Sequence, residues 1–204
     1  MLTERLDRPK VDWAALRPAW AGNGFIGDQA SKSAFWDILD KWGKISKKDA
    51  KDPLGKRASQ KIGKQKLGKL LADGDARAAA IVASSIEDFA AALQKVIRRY
   101  LTLKKWDKTQ SIVIGGGLSA SHVGQLAVAR AELLSRAERI DIDLGMITHK
   151  PDEAGLIGAV HLVPAWMLKG RNGMLALDLG GTNFRAGIVT FRNAQPRIGE
   201  CARR

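Results

Sequence analysis

The chain has 204 residues, of which 45% are hydrophobic and 27% charged, values typical of a soluble globular protein with one core or a core and an appendage. Met1 to Lys10 is polar and charged, and the longest apolar-leaning run, Gly155 to Leu168, is too short to span a bilayer. We therefore expect a cytoplasmic protein without membrane partners. The single cysteine, Cys201, excludes an intramolecular disulfide and a zinc cluster of thiolates.

The positive charge of the chain, +13 in all, is concentrated in one segment. Between Lys41 and Lys69 there are eleven Lys or Arg residues, against only Asp49 and Asp52. A segment of this kind can bind nucleic acid or another polyanion through counterion release. More commonly it is a solvated basic surface, and no helix-turn-helix pattern accompanies it here. The sequence leaves both interpretations open.

Tryptophan is frequent at the N-terminus, at positions 13, 20, 36 and 42. A helix is predicted after Ser31 or Ser33, either of which suits an N-cap. Its apolar stripe consists of Phe35, Ile38, Leu39 and Trp42. We expect this stripe to face a core, while the alternative is a stacking surface for nucleic-acid bases. Residues 1-70 are therefore interpreted as a partly helical segment rich in tryptophan and lysine.

The clearest helix in the sequence is predicted to begin after Asp75, a good N-cap followed by an alanine-rich turn. Apolar residues recur every three or four positions from Val82 to Tyr100 and lie on one stripe. The pattern predicts a helix that packs against a core rather than one that carries chemistry.

A βαβ unit is predicted next. Ile112 to Ile114 is a short apolar strand, Ser121 to Glu138 a helix, and Ile140 to Ile147 a second strand. A crossover of this type joins parallel strands and is right-handed. We therefore expect a parallel sheet at this point of the chain.

Three glycines, Gly115, Gly116 and Gly117, follow the first of these strands. Ligands of parallel sheets bind outside the carboxyl ends of the strands, which is where this turn is expected. It does not match the dinucleotide-binding pattern Gly-x-Gly-x-x-Gly, because Leu118 and Ser119 come next. A plain tight turn would also explain the glycines.

The last patterned stretch reads as a helix and a hairpin. Pro151 to Leu162 is the helix, Met174 to Leu179 a strand, and Phe184 to Phe191 a second strand after a glycine turn. No convincing pattern follows Asn193. The hairpin is therefore expected to lack a third strand and to leave a sheet edge exposed, with a risk of poor solubility.

Asp178 is unusual because a carboxylate at the end of a buried strand is costly unless it is paired, hydrogen-bonded or near a metal. Mg²⁺ held through water and nucleotide phosphates would meet that need. Gly180 and Gly181 allow the backbone to approach a ligand, and Thr182 adds a hydroxyl. The alternative is a hairpin in which Asp178 caps its own turn.

The string from Leu177 to Arg185, Leu-Asp-Leu-Gly-Gly-Thr-Asn-Phe-Arg, resembles the first phosphate-binding motif of the actin-like sugar kinases. It is most similar to the ROK group (repressors, open reading frames, kinases), which includes bacterial glucokinases. The resemblance implies that Asp178 positions Mg²⁺ and ATP, and that Gly180, Gly181 and Thr182 cradle phosphate.

A second part of the chain resembles the same family. Gly74-Asp75 with its helix, Ile112 to Ser119, and Asp152 to Ala159 are similar to the C-terminal lobe of a ROK kinase. In that family the glycine turn lies against the adenosine of ATP, which implies a cofactor-binding role for Gly115 to Gly117. The resemblance covers roughly Gly74 to Val189.

The fold class that follows is α/β: a partial actin-like, ribonuclease H-like nucleotide-binding lobe over residues 71-204, preceded by the basic, mainly helical segment. The motif order is permuted, since the family normally begins with the phosphate hairpin. The section expected after the hairpin, with the sugar-binding residues and the catalytic aspartate, has no counterpart here. We therefore predict no catalytic residue in this chain and no metal site beyond Asp178.

The sequence thus predicts a relative of the ROK sugar kinases, incomplete and inactive as this chain alone, that binds nucleotide and a hexose, with homo-oligomers as one way to complete a site. The alternative is a non-catalytic regulatory protein that binds nucleic acid or another polyanion through residues 41-69. The first hypothesis is the stronger one, because two separate motifs resemble a single family.

Overall fold

The computed structural model describes residues 26–46, 53–54, 61–179, 184–192 and 195–203. The described residues divide into two compact units, which we name the helical unit, from residue 26 to residue 146, and the C-terminal unit, from residue 147 to residue 203. The described elements form a mixed α/β chain with one small parallel sheet and one antiparallel sheet. The predicted α/β class is confirmed at this level.

The described part of the helical unit has three helices ahead of its parallel sheet. They are α1 (Lys32–Ser46), α2 (Lys64–Asp73) and α3 (Ala76–Leu101), with a short 3-10 helix, Ile26–Ala30, ahead of α1. The helices α1 and α2 both pack against α3, the longest element of the described chain. Even so, neither α3 nor any other described helix is long and apolar enough to cross a membrane.

Side-chain caps fix where two of these helices start. The Ser31 hydroxyl accepts a hydrogen bond from the Ala34 N–H at 3.2 Å. The Asp75 carboxylate accepts from the N–H groups of Arg77 and Ala78, both at 2.9 Å. Both caps satisfy N–H groups that have no partner within the helix. The predictions for Ser31 and Asp75 are confirmed.

The predicted apolar stripe of α1 faces the core of the helical unit. Phe35 and Leu39 are fully buried, and the ring of Phe35 meets that of Phe89 on α3 edge to face, with centroids 5.5 Å apart. Leu67 on α2 is fully buried in the same cluster. Trp36 is also buried, although the predicted stripe did not include it. Full burial of one such side chain stabilises the folded state by about 1.5–3 kcal/mol.

The predicted βαβ unit is present. Strand β1 (Ser111–Ile114) leads through α4 (His122–Ala137) to β2 (Asp143–Met146), and the two strands pair in parallel. Apolar residues on one face of this sheet pack against α3 and α4. Because the two strands are parallel, their carboxyl ends lie at the same end of this small sheet, and the glycines at positions 115–117 follow β1 there.

The predicted start of the second strand at Ile140 is wrong, since β2 begins at Asp143. The chain first completes the end of α4: the Ile140 N–H donates to the Ser135 carbonyl at 2.9 Å, and Arg139 has a left-handed φ of 62°. That conformation is typical of the residue that ends a helix. Ile140 therefore belongs to the helix termination, which its apolar side chain does not reveal.

The described residues of the C-terminal unit form two helices and a three-stranded sheet. Its elements are α5 (Pro151–Val160), α6 (Ala165–Leu168), β3 (Gly173–Leu179), β4 (Phe184–Arg192) and β5 (Gln195–Arg203). The strands are antiparallel in the order β3-β4-β5. Helix α5 ends at Val160, two residues earlier than predicted, because His161 forms its C-cap.

The expectation that the hairpin lacks a third strand is wrong. Strand β5 pairs with β4 from Arg192↔Gln195 to Arg185↔Arg203, with an irregularity between Ile188 and Val189. Most side chains of β5 are polar or small, so no alternation of apolar and polar residues marks it in the sequence. Its pairing comes from backbone hydrogen bonds that the residue pattern does not encode.

The two faces of this sheet have opposite environments. The inner face packs against α5 through a buried cluster that contains Leu156, Ala176 and Val189. On the opposite face, which we name the outer apolar face, five large apolar side chains are exposed. They are Leu175, Leu177, Leu179, Phe184 and Ile188.

Candidate functional site

Asp178 lies on β3, one residue before the strand ends, and its register partner on β4 is Arg185. The Arg185 guanidinium donates from Nη1 to Asp178 Oδ2 at 3.0 Å and from Nε to Asp152 Oδ1 at 2.9 Å. Asp152 lies in the first turn of α5, where the helix dipole stabilises a negative charge. One guanidinium thus joins two strands and a helix of the C-terminal unit.

Helix α5 approaches Asp178 closely at a glycine. A Cβ atom at Gly155 would lie 3.2 Å from Asp178 Oδ2, tighter than ordinary van der Waals contact. A larger residue would therefore push the carboxylate or the helix away. The absence of a side chain at this position allows α5 to lie against the carboxylate that Arg185 holds.

Hydrogen bonding in this cluster favours the charged form of Arg185. Hydrogen bonds from the Arg185 guanidinium to Asp152 first, and then to Asp178, raise the pKa of Arg185 above its ordinary value. Only 19% of the Arg185 side chain is exposed, compared with 38% for Asp178 and 43% for Asp152. The guanidinium therefore forms the least exposed part of the cluster, and the two carboxylates lie nearer to solvent.

The expectation that β3 is a buried strand is wrong, since its three leucines on the outer apolar face are exposed and the Asp178 side chain is 38% exposed. Asp178 is therefore not a buried charge, although Arg185 supplies it with a partner of opposite charge. The sequence reasoning gave no role to Arg185 or to the contact with Asp152. A signal was available for Arg185: in a hairpin that places Leu179 opposite Phe184, residue 178 must face residue 185. The contact with Asp152 had no such signal, since it joins elements 33 residues apart.

The other residues of the predicted phosphate motif, Gly180, Gly181 and Thr182, lie outside the described residues. Their phosphate-binding role stays a prediction, as does the alternative that Asp178 caps its own turn. The described strands on either side nevertheless fix the ends of this segment at Leu179 and Phe184, which are register partners.

The acidic side chains of this cluster suit Mg²⁺, which keeps water and phosphate ligands, better than a metal ion that is coordinated only by protein side chains. In the described part of the chain, no group of three or more His, Cys, Asp or Glu residues could hold a metal ion. Mg²⁺ usually binds one or two carboxylates and completes its octahedron with water and substrate phosphates. Asp178, with Asp152 beside the same guanidinium, fits a magnesium ion that arrives with a nucleotide.

The second predicted element, Gly115 to Gly117, follows β1 in the helical unit. Gly116 has a φ of +105°, a conformation that disfavours any side chain. Its carbonyl accepts a hydrogen bond from the Ser119 hydroxyl at 2.7 Å. The turn is therefore a specific conformation rather than a loose linker.

This glycine turn borders a cavity of about 560 Å³ that lies wholly within the helical unit. One side of the cavity is formed by α2, with Lys64, Gly68 and Lys69, and the other by Gly117 and His122 at the start of α4. The ammonium group of Lys64 donates a hydrogen bond to the Gly117 carbonyl. The sequence reasoning assigned these lysines to the basic segment and missed that they face the glycine turn.

The two candidate regions belong to different units: the Asp178 cluster to the C-terminal unit and the glycine-turn cavity to the helical unit. Each is a candidate site by itself. Comparison with known proteins adds no third line of argument, since no protein-family model matches the chain and neither does any curated protein. The resemblance to ROK kinases accordingly remains a hypothesis that rests on its motifs.

Proposed function

We propose that the chain is a relative of the ROK sugar kinases that binds MgATP, with Asp178 as the residue for the metal and phosphates. The glycine turn of the helical unit, Gly115 to Gly117, is proposed separately as a nucleotide-binding turn. The observation that carries the proposal is the position of Asp178. Arg185 holds its carboxylate at the end of β3, directly before the Gly-Gly-Thr segment of the motif. A carboxylate oriented by a neighbouring guanidinium suits the positioning that phosphoryl transfer requires.

The parallel β1–α4–β2 unit with its glycine turn supports the further proposal of a partial actin-like nucleotide-binding lobe. In this proposal the bound nucleotide supplies the phosphates and carries the Mg²⁺. The residues of this chain would orient them: Arg185 fixes Asp178, and Asp178 would hold the ion. A hexose is the proposed phosphoryl acceptor, and the cytoplasm the proposed compartment.

The test is calorimetric titration of the purified chain with MgATP, compared with Asp178→Ala and followed by a coupled glucokinase assay. We expect binding that Asp178→Ala weakens at least about tenfold, corresponding to about 1.4 kcal/mol, and no turnover. Asp107→Ala is the matched control, because Asp107 is an exposed carboxylate in a loop of the helical unit. Equal affinity of the wild type and Asp178→Ala, or no binding at all, would contradict the proposal.

Turnover of glucose in the same assay would support the kinase assignment while contradicting one part of the prediction. It would require a group within this chain that accepts the proton of the sugar hydroxyl. The expected absence of such a group rests on the motifs alone. Product formation is therefore the readout that tests it.

A second candidate function, polyanion binding through residues 41-69, is favoured by the surface of α2. Leu67 anchors this helix in the core at 0% exposure, while Lys66 and Lys69 are exposed and Lys64 is half-buried. An ordered helix that presents lysines can neutralise phosphates of nucleic acid. Elsewhere in the segment the charge is partly compensated, since Lys41 pairs with Asp88 at 3.3 Å.

Fluorescence anisotropy of a labelled DNA duplex tests this candidate at several salt concentrations. The logarithm of the binding constant should fall with the logarithm of salt concentration by about 0.9 per neutralised phosphate. Lys66→Gln should reduce that slope by about one such increment, whereas Lys95→Gln, an exposed lysine on α3, should leave it unchanged. A slope near zero would dismiss nucleic-acid binding.

A further inference from the structure

The cavity at the glycine turn has a chemical character that the family resemblance does not provide. Its volume of about 560 Å³ is within the range of small-molecule sites, roughly 300–1,000 Å³. One wall consists of a single face of α2, because its lining residues recur with the period of a helix. The opposite wall is the glycine turn and the first residues of α4.

The charges in this cavity are mainly positive. Lys64 and Lys69 contribute two cations to its lining, and Asp73 is the acidic residue among the lining side chains. His122, at the start of α4, adds ring nitrogens that can donate or accept hydrogen bonds. Two lysines within one pocket of this size favour a ligand that carries more than one negative charge.

The two lysines have different roles. Lys64 donates to the Gly117 carbonyl and so joins α2 to the glycine turn. Within the described ranges, Lys69 makes no hydrogen bond or ion pair, which leaves its ammonium group available to a ligand. Lys66, on the same helix, does not line the cavity.

The N-terminus of α4 is not the feature that makes this cavity a candidate binding site. The hydroxyl of Ser121 already accepts a hydrogen bond from the Gly124 N–H at 3.2 Å, so the helix end is capped by its own residue. The inference is carried by the cavity and by the lysine side chains of α2. A neutral nucleoside would bring no negative charge to the two lysines.

We infer that this cavity binds the diphosphate portion of a small molecule, with Lys69 and Lys64 as the contacting cations. The shared chemistry is a pyrophosphate group, which a nucleoside diphosphate or triphosphate and free pyrophosphate all carry. This inference concerns the cavity as a site by itself, separate from the Asp178 cluster, and it rests on the proposed function only in taking the ligand to be a nucleotide. It differs from the family expectation, in which adenosine lies against the glycine turn.

The experiment titrates the full chain by calorimetry with pyrophosphate, ATP and adenosine in separate runs without magnesium. Pyrophosphate and ATP should bind, and Lys69→Gln should weaken both by roughly tenfold or more, since it removes a charge-assisted contact. Lys66→Gln is the matched control on the same helix and should match the wild type.

Three outcomes separate the inference from the proposed function. Binding of adenosine as tight as that of ATP, with no effect of Lys69→Gln, overturns the inference and leaves the nucleotide assignment standing. Binding of pyrophosphate that Lys69→Gln weakens, with ATP no tighter, supports the inference and contradicts the nucleotide assignment. Binding of pyrophosphate that Lys66→Gln weakens equally indicates surface attraction and overturns the inference.

Lys64→Gln is the second variant, and its folding must be followed because Lys64 also holds the turn. A lower melting temperature for Lys64→Gln alone would mean that its loss of binding cannot be assigned to the ligand contact. Lys69→Gln then decides, since Lys69 has no structural contact in the described chain that its loss would break.

Discussion

At the scale of single residues, Arg185 has the contact that most clearly links fold to proposed function. Its two donor groups point in different directions, one to Asp178 and one to Asp152. A planar guanidinium provides that geometry, whereas the compact ammonium of lysine does not. Arg185 is therefore a positioning residue: it orients the carboxylate that is proposed to contact the metal.

Arg185→Lys should keep the positive charge but lose one of the two contacts. We expect the affinity for MgATP to fall by about 10- to 100-fold, the range found when a partner that orients a metal ligand is changed. The measurement is ATP binding as a function of magnesium concentration, and the loss should disappear when magnesium is omitted. Arg171→Lys, at an exposed arginine of the same unit, serves as the control.

The protonation of Arg185 does not limit this experiment. Its pKa is raised above the ordinary value, chiefly by the hydrogen bond to Asp152. A raised folded-state pKa means that the stabilising contribution is fully present below the unfolded-state pKa and is lost only as pH rises through the folded-state value. The guanidinium thus stays charged throughout the pH range of a binding assay. An Arg185→Lys variant that binds like the wild type would show that charge alone suffices.

At the scale of elements, the sequence predicted best where one local signal decides the structure. Helix α3 followed from the Asp75 cap and one apolar stripe, and the β1–α4–β2 unit followed from its alternation of strand and helix. Strand β5 was missed because its residues do not alternate, and the start of β2 was placed too early because Arg139 and Ile140 terminate α4. In both cases backbone hydrogen bonds decided the structure, and side-chain patterns do not report them.

In the candidate sites, too, the residues marked by a local motif were predicted, and the residues that contact them from elsewhere in the chain were not. Asp178 and the glycine turn were predicted from local motifs. Their partners were not, because Asp152 is 33 residues from Arg185 and Lys64 is 53 residues from Gly117 along the chain. Contacts over such separations depend on how helices pack, and the sequence of one chain fixes that packing only through the complete fold.

At the scale of the whole molecule, we expect the outer apolar face of the C-terminal unit to influence how the protein behaves in solution. Contiguous exposed apolar side chains of this kind are unusual on a monomer and lower solubility. The neighbours Ile188 and Val189 lie on opposite faces of β4: Ile188 is 47% exposed, and Val189 is fully buried against α5. The same substitution at these two positions therefore separates surface behaviour from stability.

Ile188→Thr should change the free energy of unfolding by no more than about 0.5 kcal/mol, because exposed substitutions rarely cost more and threonine suits a strand. It should also reduce the binding of an apolar dye and the light scattering of concentrated samples. Val189→Thr should instead destabilise the protein by about 1–3 kcal/mol, since it places a hydroxyl in an apolar cluster. Thermal unfolding and dye fluorescence measured on both variants check the pair. If Ile188→Thr were as destabilising as Val189→Thr, the face at Ile188 would have to be covered in solution, which would contradict an exposed outer face.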